Sequence, residues 1–406
     1  MTFSISTTAV PKIADSDPAG DRLLHALQAM VPDLRARAGA AEAAGRIPEA
    51  TLADLKAADA FRSVVPKRYG GLELPYPYIP QIFRLLGRGC SSTAWSMGFL
   101  VYHNFQFAHF PLAAQDEVWG GESGYTMAPG QVMPSGAAVE VDGGYEVTGR
   151  WGYATGINHG DWMLITSPTD MKDGSRQMRR FYAPVANFTL LDTWDVVAMK
   201  ATGSHDVTLQ AEFIPAHRSI LVEDMRERSA EGLAHNPGPL WQMPLLSFMV
   251  LGAVGPFIGA AEALLEIVTD VMKIKVGAYS GDKQQGLMSQ HIRIGRIAMD
   301  LDAVIRLWEG HTEEIWQMVK SGAQPSRERR QEVRAIASHV AKRCYEAITE
   351  LSGAVGSRSY YNDNPIQRFH RDMASLSTHA LFEHDHLVNL YGSVRMGQPL
   401  PANAMI

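Results

Sequence analysis

Cysteine is nearly missing from this chain, and the shortage excludes two classes early. Cys90 and Cys344 are the only two among 406 residues. They have no CxxC spacing, which leaves no disulfide framework and no zinc knuckle. Both fall in apolar helical patterns and read as buried thiols. A surplus of one charge is lacking too. The net charge is −6 and the pI about 6.2, so there is no basic footprint for nucleic acid or for an anionic membrane. No Gly-x-Gly-x-x-Gly follows a strand pattern, and GAVGPFIG (252–259) falls inside a helical one. The chain therefore lacks the fingerprint for holding a nicotinamide dinucleotide. Repeats and low-complexity tracts are absent. So is a basic-then-apolar leader in the first eighteen residues, and a cytoplasmic location is expected.

One stretch lacks charge altogether. From Pro244 to Ala261 no ionisable side chain occurs, close to the length of a membrane span. Gly252, Gly255, Pro256 and Gly259 interrupt it, and an amphipathic AEALLEIVTDVMKIK continues it. The expectation is a helix buried on all sides, in a bundle or a subunit interface.

What is present suits a soluble globular protein with its core split over two or three domains. Apolar residues make up 46% and charged residues 20%. Helical spacing runs over 20–45, 48–61 and 78–86. Ser91, Ser92 and Thr93 then offer capping hydroxyls for a fourth helix, on which Trp95 and His103 share a face. From Tyr125 to Ile220 the composition turns to strand, and a β-barrel-like domain of six to eight strands is expected. Helical spacing returns over 283–320 and 327–352, and Pro365 opens a last helical region to Gly392. The expected division is 1–122 helical, 123–222 β, and 223–406 a helical bundle.

The most informative stretch is GGYEVTGRWGYATGINHGDW (143–162). Asp142-Gly143-Gly144 makes a turn, Tyr145 to Thr148 alternates, and Gly149-Arg150 reads as a second turn. Trp151 and Tyr153 then lead to Thr155, which stands between Gly152 and Gly156. That supplies flat stacking surfaces, one hydroxyl, and backbone able to approach a planar ligand closely. Downstream, VAMKATGSHDVTLQAEFIPAHRSI (197–220) joins a Gly-Ser turn to an alternating strand.

With VPKRYGG (65–71) and GRIPEATLADLKAADAF (45–61) ahead of them, these pieces resemble the acyl-CoA dehydrogenase superfamily. More narrowly they resemble its two-component flavin-dependent monooxygenases. The motifs stand here as Trp151…Thr155-Gly156 and Thr202-Gly203-Ser204-His205-Asp206-Val207. The resemblance implies a mostly α fold: a helical N-terminal domain, a central β-domain and a C-terminal four-helix bundle. It implies reduced FMN (FAD possible) with O2 as co-substrate, and a separate NAD(P)H:flavin reductase. The assembly implied is a homotetramer whose flavin sites border two subunits. The implied reaction is hydroxylation of a small aromatic, phenolic substrate through a C4a-hydroperoxyflavin. The alternatives are N- or S-oxygenation by the same intermediate, or acyl-CoA dehydrogenation.

The same resemblance assigns residues. Trp95 and His103 are implied beside the flavin's reactive edge, and Thr155 is matched to the hydroxyl that bonds flavin N5. Trp151 and Gly156 are expected to line the ring, while Gln290, Arg293 and the Gly353–Gly356 turn are candidates for phosphate or adenine. Where dehydrogenases carry a glutamate base after Arg371-Asp372, this chain offers His379, whose near-neutral pKa suits a base for a phenolic proton. Tyr153, Gln131 and Gln242 are the expected substrate contacts. Gly130-Gln131 stands where many relatives have a serine, and Gln242 where they have a basic residue. A metal is not expected. His379, Glu383 and His386 are spaced for one helix face, but a di-iron bundle needs two Glu-x-x-His pairs and only Glu383–His386 occurs.

Overall fold

Asp17 starts the first helix by accepting hydrogen bonds from the N–H groups of Ala19 and Gly20, 2.8 and 3.2 Å away. Pro18 at the first turn has no N–H to lose. In the computed structural model, which describes residues 10–279 and 281–405, this helix is α1 (Pro18–Ala44). Four more follow: α2 (Glu49–Ala57), α3 (Tyr78–Gly89), α4 (Ser91–Phe107) and α5 (Leu112–Trp119). The hydroxyls of 91–93 do not cap α4. Cys90 holds the N-cap position without a side-chain bond, and all three hydroxyl residues are buried.

The strands are β1 (Ala137–Val141), β2 (Gly144–Trp151), β3 (Trp162–Asp170), β4 (Arg176–Pro184), β5 (Thr189–Leu191), β6 (Asp206–Pro215) and β7 (Ser219–Leu221). They form one sheet in the order β5-β6-β2-β1-β3-β4-β7, antiparallel except for β1 with β3. Among the described residues β5 and β7 remain edges, so the sheet is not closed into a barrel. Gly149-Arg150 is not a turn. It lies within β2, where the register against β6 shifts between Val147 and Gly149. A glycine in a strand commonly marks such a bulge.

After α6 (Val222–Glu227) come α7 (Leu245–Ala253), α8 (Gly255–Ile274), α9 (Met288–Lys320), α10 (Arg327–Val355), α11 (Pro365–Leu376) and α12 (His384–Arg395). The uncharged run forms α7 and the first turns of α8, and that helical stretch is buried inside the protein. Its glycines let α8 lie directly on α3. A Cβ at Gly259 would come 2.0 Å from the Arg84 carbonyl oxygen. Ion pairs edge the contact: Arg84 with Glu262 at 2.6 Å and Glu309 at 2.8 Å, and Arg88 with Glu266 at 2.6 Å. Between α11 and α12 the α-helix is interrupted over 377–383, where His379 caps a single 3-10 turn, Ala380–Phe382. His379, Glu383 and His386 therefore do not share a helix face.

Candidate active site

Residues four apart on a helix stack on one face, and α4 uses this to line up Trp95, Phe99 and His103. The ring centroids of Trp95 and Phe99 are 5.0 Å apart, and those of Phe99 and His103 5.6 Å. The break after α11 adds His379 at the Trp95 end, edge-on at 5.2 Å, with Phe382 behind it. Beside this row, Trp95, Gly98, Phe99, Met249 and Leu381 border a small apolar cleft.

His103 ends the row against the β-domain. It is fully buried, and its Nδ1 lies 2.6 Å from the Ala128 carbonyl oxygen. A carbonyl only accepts, so Nδ1 carries the proton and Nε2 the lone pair. Nε2 is buried with no protein partner among the described residues. Burial, reinforced by the Arg180 charge, pushes the imidazole pKa down to about 3. His103 is thus a neutral ring of fixed tautomer. Gly130 makes room for it, since a Cβ there would meet His103 Cε1 at 2.6 Å and Leu164 Cβ at 3.0 Å. The packing of His103 therefore favours glycine at 130.

Arg180, missed by the sequence reading, is 3% exposed. It donates to the Gln131 carbonyl and the Thr166 hydroxyl, at 3.2 and 2.9 Å, while Nε and Nη2 have no partner. No carboxylate pairs with it among the described residues, and burial pushes its pKa down to about 9. The signal in the sequence was a charge directly before the apolar Phe181-Tyr182-Ala183 of β4.

Thr155 is buried, and its hydroxyl lies 2.9 Å from that of Ser204. Gly156 follows with its N–H on the Thr202 carbonyl, 2.9 Å away. Tyr153 is exposed at a φ of 58° and stands edge-on to Trp194. Trp151 is placed otherwise than expected. It is 1% exposed in the core of the β-domain, with its indole N–H on the Thr166 carbonyl at 3.1 Å. Neither of its faces is free to stack on a ligand, because alternation along β2 turns it inward.

His379 is tied to its own turn. Its Nδ1 accepts the Leu381 N–H at 3.2 Å, so the neutral ring carries its proton on Nε2 and offers a donor. One edge is open to solvent, while the side packed on Trp95 and Phe382 is dry, and burial there lowers its pKa. Arg371-Asp372 has a positioning task. Arg371 holds the Val197 carbonyl at 2.6 Å and pairs with Glu42 of α1, and buried Asp372 accepts the Met199 N–H at 2.7 Å. Together they pin the 197–204 loop to the bundle.

The other candidates lie apart or are already engaged. Gln131 spends its amide on the Gly152 carbonyl (2.6 Å) and the Met133 N–H (2.9 Å). Gln242 accepts from Arg228, so a basic group does reach this place, from α6's end. Gln290, Arg293 and Gly353 sit where α9 begins and α10 ends. Arg293 donates to Gln290 at 2.8 Å and lies 3.7 Å from Glu350, and their polar contacts stay within this patch.

Comparison with known proteins places the chain in a family. The family model for the acyl-CoA dehydrogenase C-terminal domain matches residues 251–384. The chain is 30% identical over 391 residues to the flavin-dependent monooxygenase oxygenase subunit HsaA of Mycobacterium tuberculosis, covering 95% of this chain and 97% of that one. It is 27% identical to the oxygenase component of p-hydroxyphenylacetate 3-hydroxylase from Acinetobacter baumannii, covering 94% of this chain and 90% of the relative. The solved structure of XiaF from a Streptomyces species, in complex with FADH2 and glycerol, superposes with a TM-score of 0.89 at 26% identity, covering 95% of this chain and 98% of that one. The chain belongs to the oxygenase components of the two-component flavin-dependent monooxygenases, built on the acyl-CoA dehydrogenase fold.

Proposed function

We propose that this monooxygenase takes reduced FMN, with FADH2 as the second choice, from a separate reductase and hydroxylates a small phenol. The observation that carries the reading is the Trp95–Phe99–His103 row, which ends in a buried, unpartnered Nε2. Two relatives are named for phenols, hydroxyphenylacetate and resorcinol.

The residues fit a flavin ring. Trp95 and Phe99 offer apolar surface, Thr155 offers a hydroxyl, and His103 offers an acceptor that no group among the described residues uses. Bound in its reduced form, flavin supplies the two electrons that divide O2 between an inserted oxygen atom and water. The chain's own residues supply the surroundings. Trp95, Phe99 and Leu381 keep water out. His103, unable to charge near neutral pH, accepts a hydrogen bond at Nε2 without introducing a cation. His379 donates from Nε2 to the phenolic oxygen and so favours the phenolate, whose proton leaves to solvent at the open edge of the ring; the phenolate is the electron-rich form that an electrophilic oxygen attacks. This replaces the sequence-based role of proton acceptor.

The phosphates are assigned to Gln290, Arg293 and Gly353, approached from a neighbouring subunit. A homotetramer supplies that neighbour. Met288, Ile292 and Met299 stand exposed along one side of α9, with Ile274 and Tyr279 before it. Such a stripe is uncommon on a monomer. The working location is the cytoplasm, where reductase and NAD(P)H are at hand.

The test is supply and product. With NADH and oxidised FMN alone the protein should take up almost no oxygen, and an unrelated flavin reductase should start turnover. Mass spectrometry on a panel of phenols, amines and thiophenes should find a product 16 mass units heavier from a phenol. Rapid NADH oxidation without the reductase would overturn the two-component reading, and oxygenated amine or thiophene alone would overturn the phenol.

A further inference from the structure

We propose that Ser204 and Thr202 are positioning residues that hold the Thr155 hydroxyl as a hydrogen-bond acceptor, and so make the site prefer reduced flavin over oxidised. The proposal rests on the flavin reading above. Each hydroxyl owns one proton. Thr202 Oγ1 is 2.8 Å from the Met199 carbonyl oxygen, which can only accept, so Thr202 gives its proton there. Ser204 Oγ is 2.7 Å from Thr202 Oγ1, which has no proton left, so Ser204 donates to Thr202. Thr155 Oγ1 is 2.9 Å from Ser204 Oγ, and by the same count Thr155 donates to Ser204. All three residues are buried, at 5% exposure or less, so no bulk water can reorder them. Thr155 is left with lone pairs for anything beyond the chain. Its backbone N–H is also committed, to the Tyr153 carbonyl at 2.8 Å. Hydrogen bonds aligned in one direction polarise one another, which strengthens the final acceptor.

The origin of the array is held firmly. Met199 has a φ of 54°, a region costly for its side chain. Its N–H is fixed by buried Asp372 at 2.7 Å, and its carbonyl also accepts the Trp194 indole N–H at 3.2 Å. The bundle thereby sets the polarity of a hydroxyl on the β-domain.

The consequence is chemical. Reduced isoalloxazine carries N–H at its central ring nitrogen N5, whereas the oxidised ring has a lone pair there. A hydroxyl forced to accept suits the first and repels the second. An oxygenase loaded by diffusion from a reductase gains from that difference, because it takes the reduced form and releases the oxidised one.

The test is a pair of anaerobic titrations on the full chain, with reduced and with oxidised FMN. The parent should bind the reduced form more tightly. Ser204→Ala frees the Thr155 proton to point outward, and the preference should fall about tenfold, the scale of one hydrogen bond. Thr202→Val, which keeps the volume, should shift it the same way and carries the test if the alanine variant does not fold. Ser204→Thr, which keeps the hydroxyl, should restore the parent ratio. Parent-like ratios in Ser204→Ala and Thr202→Val would overturn the relay. Failure of the parent itself to bind reduced FMN would instead overturn the flavin reading.

Discussion

His379 shows how one hydrogen bond changes a residue's assignment. A base needs a free lone pair, yet the Leu381 N–H occupies Nδ1 and leaves Nε2 protonated. His379→Ala should therefore slow hydroxylation by about 10²–10³-fold, the usual worth of one donor to a negatively charged oxygen, with oxygen consumption diverted to hydrogen peroxide. Raising pH should recover part of the rate as the phenol ionises unaided. His379→Gln separates donor from base, because glutamine donates but cannot take a proton. Retention of hydroxylation within about tenfold of the parent supports the donor, and a rate equal to the alanine variant's supports the base. Buried His103 and His109 make a second prediction. Burial depresses their pKa values to about 3 and about 4, below the ordinary 6.5. The unfolded chain therefore binds protons first, and the stability these rings contribute is present above pH 6.5 and lost as pH falls toward 4. Asp372 works the other way, since burial raises its pKa from 3.8 to about 6, and it favours the fold as pH drops through that interval. Two histidines against one aspartate predict a net fall in Tm between pH 7 and pH 5. His109→Asn should shallow that fall, and an unchanged slope would show that His109 does not drive it.

At the scale of elements, the site depends on how closely α4 meets the β-domain. Gly130→Ala puts a methyl group into His103 and Leu164, and overpacking of this kind costs about 1–3 kcal/mol. A lower urea midpoint together with lost coupling between oxygen use and product is the expected outcome. Full coupling would show that the ring's position is not what matters. The helices were legible in the sequence because each bundle helix buries one face, which the spacing of Ile297, Leu301, Trp308 and of Val333, Ile336, Val340, Cys344 reveals, although Ile292, read as part of the same face, is exposed. The motif order singled out two segments that the fold brings together, Thr155 and Ser204, whose hydroxyls lie 2.9 Å apart. What could not be read depended on contacts between distant segments. Trp151 looks like a ligand-stacking ring until the register of β2 turns it into the core. Gly149 looks like a turn until β6 pairs across it. Arg180 needed the fold to show that no carboxylate among the described residues pairs with it, and the α-helix break over 377–383 needed it to separate His379 from Glu383 and His386.

Across the whole molecule, polar links reinforce one continuous apolar core that runs from α1 to the C-terminal helices. Arg84 and Arg88 tie α3 to the bundle, and Glu42, Arg371 and Asp372 tie α1, the 197–204 loop and α11 together. Breaking a partly buried link should loosen the site at a distance, so Glu42→Ala should raise peroxide release while leaving helix content unchanged by circular dichroism. Light scattering at micromolar concentration should find a tetramer of the 44.6 kDa chain, and charged replacements at Ile292 and Met299 should dissociate it. A parent monomer would contradict that assembly. The central claim is that the chain inserts an oxygen atom from O2 into a phenol using reduced flavin alone. The most direct test mixes the protein with chemically reduced FMN and a phenol under anaerobic conditions, then admits ¹⁸O2. The account predicts product carrying one ¹⁸O, formed with no reductase and no NADH in the vessel. Unlabelled product, or hydrogen peroxide with no hydroxylated phenol across the panel, would contradict it.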